Sequence, residues 1–369
     1  MRLLRNRRAV LAGAVALTGA FALSACGSDN NSGGASGSGN AGGASTGGSS
    51  AAAANCFSGT LNAEGSTAQK NAIEAAIKAY QTACGDATIN YNATGSGAGI
   101  KQFTGKQVDF AGSDSALKSE MKDGVVEQAA ADKTCGSPAW NLPMVTGPIA
   151  VAYKLNGVGK LILTPDVIAK IFLGQITSWN DPAIAALNKG VTLPSTPIKV
   201  YFRSDESGTT ENFTKYLKAA AGDAWSYDPG KKWTGKGEGK EKSAGVATAV
   251  KGQDGGITYV ELSYAQQNQL PMAQIDNGSG PVELTADSVG KTVATAKQTG
   301  TGNNLALKID YATKEAGAYP IVLVTYEIVC SKYADAATGK KVKSFLKTFA
   351  SDAVQKQLQS KGYAPLPAV

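Results

Sequence analysis

Residues 198–220 read IKVYFRSDESGTTENFTKYLKAA and join an apolar run, a polar turn and an amphipathic run. Ile198, Val200 and Phe202 alternate with other residues, which predicts a strand, and the run after the turn has apolar residues at helical spacing. The turn, RSDESGTTEN at 203–212, holds one arginine, a glycine and seven side chains with hydroxyl or carboxyl groups. This strand, turn and helix form the unit from which the rest of the chain is interpreted.

The same unit recurs twice near the start of the globular part. CFSGTLNAEGST leads into AQKNAIEAAIKAYQTAC over 56–84, and TINYNATGSGAGIKQF follows at 88–103. Ser66 and Gln69 have the spacing of a capping box, so the first helix is predicted to begin near Thr67. Its predicted buried face carries Ile73, Ala76, Ile77 and Tyr80.

Further strands are predicted at QVDFAGSD, GPIAVAYKL, GGITYVEL and YPIVLVTYEIVC, and one closing helix from about Lys340 to Gln359. Apolar residues on one face of that helix are Val342, Phe345, Leu346 and Phe349. Strands that alternate with helices predict an α/β protein with largely parallel sheets.

Two long apolar runs, LPMVTGPIAVAY and AYPIVLVTYEIV, suit paired strands that cross between two domains. In that interpretation the first domain is discontinuous and comprises 55–146 and 321–369. The second domain comprises 147–320, and a cleft lies between the two.

The N-terminal residues predict export. Residues 1–25 hold four arginines and then a short apolar run, as in a secretory signal. The run ends in Leu-Ser-Ala-Cys, which looks like a lipobox with Cys26 as the acylated residue; an ordinary signal with a spare thiol is the alternative. Residues 26–54 are then a flexible tether of glycine, serine and alanine.

Four further cysteines, Cys56, Cys84, Cys135 and Cys330, are an even number in an exported chain, which favours two disulfides. Three pairings are open. Cys56 opens the first strand and Cys84 closes the helix after it, so we expect Cys56 with Cys84 and Cys135 with Cys330. A metal site is disfavoured, because the chain has no histidine and no C-x-x-C spacing.

The formal net charge is +7, but loss of residues 1–25 removes four arginines and no acids, which leaves +3. This charge is too small and too dispersed to predict nucleic-acid binding. It still suits the collection of a small anion.

Three turns share one composition: EGSTA at 64–68, TGSGAG at 94–99 and RSDESGTT at 203–210. Each follows a predicted strand and opens a predicted helix, where backbone N–H groups lack partners and the helix dipole is positive. Convergence of the three would make an anion site. Taken singly, each turn is equally well a helix cap.

Arg203 and Asp114 add charge to this set. A guanidinium matches a tetrahedral oxyanion, and Asp205 is placed to hold Arg203, although a surface salt bridge is the alternative. Asp114 ends the strand in DFAGSD, where it is either a helix cap or an acceptor for a proton on the anion. Phosphate near neutral pH carries such a proton and sulfate does not.

These residues resemble the phosphate-binding proteins of ABC phosphate transporters, the substrate-binding component of the Pst system. The similarity covers INYNATGSGAGIKQF, VDFAGSD, KIFLGQITSWNDPAIAALN, YFRSDESGTTENFTKYL, GITYVELSYA and YPIVLVTYEIV. It implies a bilobal periplasmic-binding-protein fold that closes on its ligand by hinge motion. The segment GKKWTGKGEGKEKSAGV departs from the family pattern, as does Ala68, where relatives often have an aromatic residue.

Carried over by position, the resemblance implies phosphate ligands, with Asp205 supporting Arg203. These ligands are Thr67, Ala68, Ser96, Gly97, Asp114, Arg203, Ser207, Gly208 and Thr209. It also implies binding of inorganic phosphate, poor rejection of arsenate, and delivery to the membrane subunits of a permease. The expected protein is a monomer without cofactor, lipid-anchored to the outer face of the cytoplasmic membrane.

Enzyme alternatives have weaker support in the sequence. Ser115 and Lys118 form an S-x-x-K motif of penicillin-binding proteins, but no K-T-G string follows. A phosphatase would lack histidine and an evident metal cluster. The basic loop from Lys231 to Lys242 is interpreted as solvated, with permease docking or anion steering as the alternatives.

Overall fold

The computed structural model describes residues 56–121, 124–364 and 366. The predicted signal, Cys26 and the tether up to residue 54 lie outside the described residues. Among the residues described, no helix combines the length and apolarity needed to span a bilayer.

The strands and helices follow the alternation that the sequence predicts. The strands are β1 Gly59–Gly65, β2 Ala87–Ala93, β3 Phe110–Ser113, β4 Ala139–Lys154, β5 Ile162–Leu163, β6 Lys199–Arg203, β7 Glu238–Lys240, β8 Gly256–Glu261, β9 Gln274–Asp276, β10 Pro281–Val282, β11 Lys297–Gln298, β12 Leu307–Lys308 and β13 Val322–Cys330. The helices are α1 Lys70–Ala83, α2 Ser96–Thr104, α3 Glu127–Cys135, α4 Pro165–Phe172, α5 Pro182–Leu187, α6 Gly208–Ala220, α7 Lys242–Lys251, α8 Leu262–Gln267, α9 Ala286–Ala294, α10 Ala336–Phe349 and α11 Asp352–Gln359.

The main sheet has the strand order β2-β1-β3-β13-β4-β8-β6-β7. β1 runs parallel to β2 and β3, and β6 runs parallel to β7 and β8. Between these parallel groups, β13 pairs antiparallel with β3 and β4, and β4 pairs antiparallel with β8. The prediction of largely parallel sheets is therefore wrong at the centre, because the two long strands run in opposite directions.

These two long strands are the predicted hinge pair. β4 is one continuous strand of 16 residues, and β13 lies along its first half in antiparallel register. Along β4 the buried side chains up to Val145 pack with the first helices and α10, and those from Ile149 onward join the larger core. Along β13 the buried side chains up to Tyr326 belong to the larger core, and Ile328 packs in a different, smaller core. The strands therefore carry the chain from one hydrophobic core to another, as in a bilobal binding protein.

Several local predictions need correction. α1 begins at Lys70, three residues after the predicted start, because the chain makes a turn over 67–69 before the helix. Its buried face carries Ala72 where Ile77 was predicted. The predicted closing helix is two helices, since Ser351 ends one stretch and caps α11 by accepting from the N–H of Val354.

The burial of β6 also differs from the alternation in its sequence. Tyr201 and Arg203 are its buried residues, whereas Val200 and Phe202 are half-buried. Other parts of the protein cover both faces of this strand. The alternation of apolar residues therefore does not show which face is the more buried. An arginine therefore lies where the sequence pattern predicts none.

Both expected disulfides are present. Cys56 pairs with Cys84 and Cys135 pairs with Cys330, each with a Cα–Cα distance of 5.3 Å. The first bridge closes the β1–α1 unit, and the second ties α3 to the end of β13. The predicted pairing is confirmed.

Candidate functional site

The three predicted turns lie together in the structure. Ser96, the first residue of α2, accepts hydrogen bonds from the N–H of Asp114 at 3.1 Å and from the N–H of Gly208 at 3.2 Å. Gly208 is the first residue of α6. The Thr67 hydroxyl, on the turn before α1, lies 2.7 Å from the hydroxyl of Ser243. The N-termini of α1, α2 and α6 therefore meet around one point.

Two glycines make this approach sterically feasible. Gly65 has a φ of 144°, and a Cβ on it would lie 2.0 Å from the carbonyl oxygen of Gly112. A Cβ on Gly208 would lie 2.5 Å from the Ser96 hydroxyl. Any side chain at either position would separate elements that form the site.

Backbone donors at the meeting point lack partners. None of the described residues accepts a hydrogen bond from four backbone N–H groups, those of Thr67, Ala68, Ser96 and Thr209. All four residues are at most 2 % exposed. Buried N–H groups are almost always paired, so four unpaired ones in one place predict a polar ligand.

The turn before α1 is held from its carbonyl side. The Tyr264 hydroxyl donates to the carbonyl of Thr67 and the Tyr363 hydroxyl donates to the carbonyl of Ala68, both at 2.9 Å. With both carbonyls anchored, the orientation of the two N–H groups is restricted. The site is thus preorganised on this side.

Arg203 supplies the positive charge. It is 2 % exposed and makes a two-pronged contact with Asp205, at 2.7 Å from Nε and a shorter distance from a terminal nitrogen. Its other terminal nitrogen donates to Ser243 at 3.1 Å and approaches the Thr209 hydroxyl at 3.5 Å. Burial opposes the charge, but the Asp205 hydrogen bonds and charge raise the pKa of Arg203.

Asp205 is stabilised as a carboxylate by the same contact. Burial favours its neutral form, yet the hydrogen bonds and charge of Arg203, with the N–H of Lys242, lower the pKa of Asp205. The pair is therefore ionised and nearly neutral in sum. The predicted supporting role of Asp205 matches this geometry.

Asp114 is a buried carboxylate at the candidate site. It accepts from the hydroxyls of Ser66 at 2.5 Å, Thr325 at 2.8 Å and Ser96 at 3.1 Å. Burial raises the pKa of Asp114 to about 6, against the lowering effect of these three hydroxyls, and nearby Glu261 adds to the rise. A loop follows Asp114 up to Met121, so the alternative of a cap on a directly following helix has no support among the described residues.

Some predicted ligand atoms are engaged within the protein. The N–H of Gly97 donates to the carbonyl of Glu206 at 3.0 Å, and the N–H of Ser207 donates to the carbonyl of Lys231 at 2.9 Å. The Ser207 hydroxyl caps α6 by accepting from the N–H of Thr210. Its hydroxyl proton remains available for an anion.

Four residues at the site escaped the sequence interpretation: Ser66, Ser243, Glu261 and Thr325. Glu261 ends β8, is 1 % exposed and accepts from the Thr209 hydroxyl. Ser243 lies in the first turn of α7, a fourth helix start at the site. A usable signal existed for Glu261 and Thr325, because each is a polar residue in a buried, mostly apolar strand, although Thr258 in β8 and Glu327 in β13 share that property.

A second polar cluster lies one turn further along α6. Glu211 is 2 % exposed and contacts Lys215 at 3.0 Å, Lys118 at 3.3 Å and Lys231 at 3.6 Å. The Ser115 hydroxyl also donates to it at 3.1 Å, so both members of the S-x-x-K motif face this carboxylate. A cavity of about 1300 Å³ opens between this cluster and Asp114.

The interpretation of the basic loop as solvated is wrong for its first residue. Lys231 is 8 % exposed and pairs with Glu127 at 2.8 Å as well as with Glu211. Lys232 is exposed at the rim, near Glu206. The described part of the chain contains no group of three or more histidine, cysteine or acidic side chains placed to hold a metal ion.

Comparisons with known proteins agree with this architecture. A model of the PBP superfamily domain matches residues 16–353. The phosphate-binding protein PstS 3 of Mycobacterium tuberculosis H37Rv is 50% identical over 368 residues, which cover 98% of this chain and 95% of that protein. PstS of Xylella fastidiosa is 35% identical over 296 residues, 78% of this chain and 76% of that protein.

Among solved structures, a phosphate-binding protein from Stenotrophomonas maltophilia superposes with a TM-score of 0.65 at 20% identity. The match covers 84% of this chain and 91% of that one. At this identity the similarity supports the fold, which is that of a periplasmic binding protein.

Proposed function

The chain belongs to the PstS family of phosphate-binding proteins, and we propose that it captures inorganic phosphate outside the cytoplasm for an ABC phosphate permease. The relatives bear the name of phosphate-binding proteins and include one of 50% identity. The observation that carries the proposal for this chain is the set of unpaired, buried N–H groups around Arg203.

The proposed ligand set combines neutral donors with one cation. The unpaired amides of Thr67, Ala68, Ser96 and Thr209 and the hydroxyl of Ser207 donate to the oxyanion. Arg203 donates from the terminal nitrogen that faces Ser243 and Thr209. Because helix N-termini carry partial positive charge, these donors stabilise a dehydrated anion without further cations.

Asp114 gives the site its selectivity in this proposal. A carboxylate accepts a hydrogen bond from P–OH but repels an oxyanion without a proton, so sulfate is rejected. Burial makes this rejection strong, since a mismatched ligand leaves polar groups unpaired in a region of low dielectric. Arsenate, with the same protons as phosphate, is expected to bind.

Closure is proposed to occur about the β4–β13 pair, with domain boundaries at 146/147 and 320/321. Contacts across the predicted cleft support a closed arrangement. Lys101 of α2 contacts Glu206 at 2.8 Å, and Lys231 contacts Glu127 of α3 at 2.8 Å. The exposed Lys101 pair contributes little energy, and loss of Glu127 would remove one of the partners of the mostly buried Lys231.

We further propose that Cys26 carries the lipid anchor and that the tether lets the binding unit reach the permease. An enzyme function remains the alternative. Turnover of a generic phosphomonoester by the purified protein would favour a phosphatase and contradict the transport assignment.

The test is calorimetric titration of the purified protein after unfolding and refolding to remove bound ligand. Tight one-to-one binding of phosphate without heat from sulfate would support the proposal. Equally tight binding of sulfate would contradict the role of Asp114, and binding of neither anion would contradict the function itself.

A further inference from the structure

The side chain of Asn212, in α6, contacts the main chain of Asp114. Its Nδ2 donates to the carbonyl of Asp114 at 2.6 Å and to the carbonyl of Gly208 at 2.8 Å. Both Asn212 and Asp114 are buried. Hydrogen bonds between buried groups are stronger than the same bonds in water. One amide therefore joins the backbone at Asp114 to the first residue of α6.

Tyr311 fixes the orientation of this amide. Its hydroxyl donates to Oδ1 of Asn212 from a position 99 residues away in the sequence. Burial raises the pKa of Tyr311 well above its usual value, so the hydroxyl keeps its proton. An asparagine side chain has two N–H donors on one atom and its acceptor on the other. With Tyr311 on the oxygen, both N–H groups point to the two carbonyls.

The other end of the loop 114–117 is held in a similar way. The N–H of Leu117 donates to Oδ1 of the buried Asn141 at 2.8 Å. The backbone N–H and the Nδ2 of Asn141 both donate to Oδ1 of Asn304, at 3.1 and 2.9 Å. Each end of the loop is thus bound by a buried asparagine, and each asparagine is held by a residue of the segment 304–311.

The contact at Asp114 crosses the proposed boundary between the domains. Asp114 lies in 55–146, whereas Asn212 and Tyr311 lie in 147–320. The contact consists of protein atoms alone, so it adds to the closed arrangement independently of the ligand. Separation of the two domains has to break it.

We propose that Asn212 is a positioning residue that holds Asp114 in the closed cleft, and that Tyr311 acts through Asn212. This inference rests on the proposed function. A bond present only in the closed state stabilises that state relative to the open one and slows the release of phosphate. Capture begins in the open state, before the bond forms, and should not depend on it.

A purely structural role in α6 is the competing explanation. Asn212 bonds the carbonyl of Gly208, four residues earlier, and polar side chains in helices often bond such carbonyls. This role predicts a less stable protein that releases phosphate at the parent rate.

The same helix offers a matched control pair. The hydroxyl of Tyr216 donates to Oδ1 of Asn277 at 3.3 Å, and Nδ2 of Asn277 donates to the carbonyl of Thr313 at 3.2 Å. Both side chains are buried. This pair has the chemistry of Tyr311 and Asn212, but its partners all lie within 147–320.

The experiment measures the release of phosphate. Protein loaded with radiolabelled phosphate is mixed with excess unlabelled phosphate to give the dissociation rate, and titration calorimetry gives the affinity and hence the association rate. Asn212→Leu keeps the size of the side chain and removes its polar atoms. We expect dissociation about tenfold faster, with association within about twofold of the parent. Asn277→Leu should keep both parent rates. Unchanged dissociation in Asn212→Leu, or equal acceleration in Asn277→Leu, would overturn the inference.

Tyr311→Phe tests whether the tyrosine acts through Asn212. It should speed dissociation about threefold, whereas Tyr216→Phe should leave it unchanged. The double variant Asn212→Leu with Tyr311→Phe should release phosphate no faster than Asn212→Leu alone, because the hydroxyl has lost the group that it orients. Additive effects would overturn the role of Tyr311.

Two further outcomes have separate meanings. If Asn212→Leu does not fold, the comparison of Tyr311→Phe with Tyr216→Phe decides, and equal release from these two would overturn the inference. Failure of the parent to bind phosphate at all would instead overturn the proposed function.

Discussion

The proposed anion site and the Glu211 cluster lie one turn apart on α6, yet the pKa of the buried carboxyl group shifts in opposite directions in the two regions. At the site, burial exceeds the effect of three hydroxyls and raises the pKa of Asp114 to about 6. Around Glu211, the charges of Lys215, Lys231 and Lys118 exceed burial and lower the pKa of that carboxyl. The cluster is satisfied within the protein, whereas the site keeps donors and acceptors free for a ligand.

This difference separates stability from function along a single helix. The first turn of α6 provides Gly208 and Thr209 to the site, and the next residues provide Glu211 to the lysines. A fully paired cluster rigidifies the helix that carries the unpaired amides. Four substitutions test whether the two regions are as distinct as their contacts indicate.

Arg203→Ala should have the largest effect. Loss of the guanidinium removes charge-assisted bonds to the anion and leaves Asp205 as an unpaired carboxylate at the site, so phosphate affinity should fall by at least about 100-fold. Titration calorimetry measures this. Lys101→Ala, which breaks an exposed pair, is the control and should stay within about threefold of the parent. An unchanged affinity for Arg203→Ala would exclude Arg203 from the site.

Glu211→Gln should affect stability rather than binding. Removal of one partner from a largely buried ion network should cost roughly 1–3 kcal/mol in urea unfolding, while phosphate affinity stays within about twofold. Because the folded pKa of Glu211 is lowered, its contribution is present above its unfolded pKa and lost as the pH falls, so the variant should show a flatter acid limb. A large loss of affinity would show that the two regions are one unit.

Asp114→Asn should change selectivity. The amide donates where the carboxylate repels, so the affinity for sulfate relative to phosphate should rise by about tenfold. Asp335→Asn, at the exposed cap of α10, is the control and should leave the ratio unaltered. A variant that rejects sulfate as well as the parent does would exclude Asp114 as the discriminating group.

Glu327→Gln should have the smallest effect. We expect it to change how the free energy of unfolding depends on pH. Glu327 is fully buried, and no described residue makes a hydrogen bond of good geometry to either carboxyl oxygen, although the Gln69 side chain lies close enough to lower its pKa. Burial, followed by the charge of Asp114, raises its pKa from 4.5 to about 8. Its contribution to stability is therefore present below pH 4.5 and lost as the pH rises toward 8. Between pH 4.5 and 8 the free energy of unfolding should therefore fall less in the variant than in the parent. Near pH 8 the variant should be more stable by roughly 1 kcal/mol. An identical pH profile for the two proteins would contradict the raised pKa of Glu327.

Local features of the fold could be predicted from the sequence. The units built on 56–84, 88–103 and 198–220 each contain their own strand pattern, turn and helix pattern, so no distant contact was needed to recognise them. The hinge strands were recognisable by length, and the cysteine positions led to the correct pairing.

The errors arose where distant contacts override local preference. The capping-box spacing of Ser66 and Gln69 predicted a helix start near Thr67. The Ser66 hydroxyl does accept from the N–H of Gln69 at 3.3 Å, but the carbonyls of Thr67 and Ala68 accept from Tyr264 and Tyr363, and the helix begins at Lys70. Lys231 was interpreted as solvated because nothing near it in sequence indicates Glu127 or Glu211 as partners.

The sequence by itself determined the strand–turn–helix units, the short spacing between Arg203 and Asp205, and the glycines that allow close backbone approach. Each depends on residues within a few positions of one another. Only the tertiary structure decided that Ser96 accepts from Gly208, that Glu261 accompanies Asp114, and that Lys118 and Lys231 join the neighbouring Lys215 around Glu211. The first two of these contacts join residues more than a hundred positions apart, which are brought together by the order in which strands assemble in the sheet.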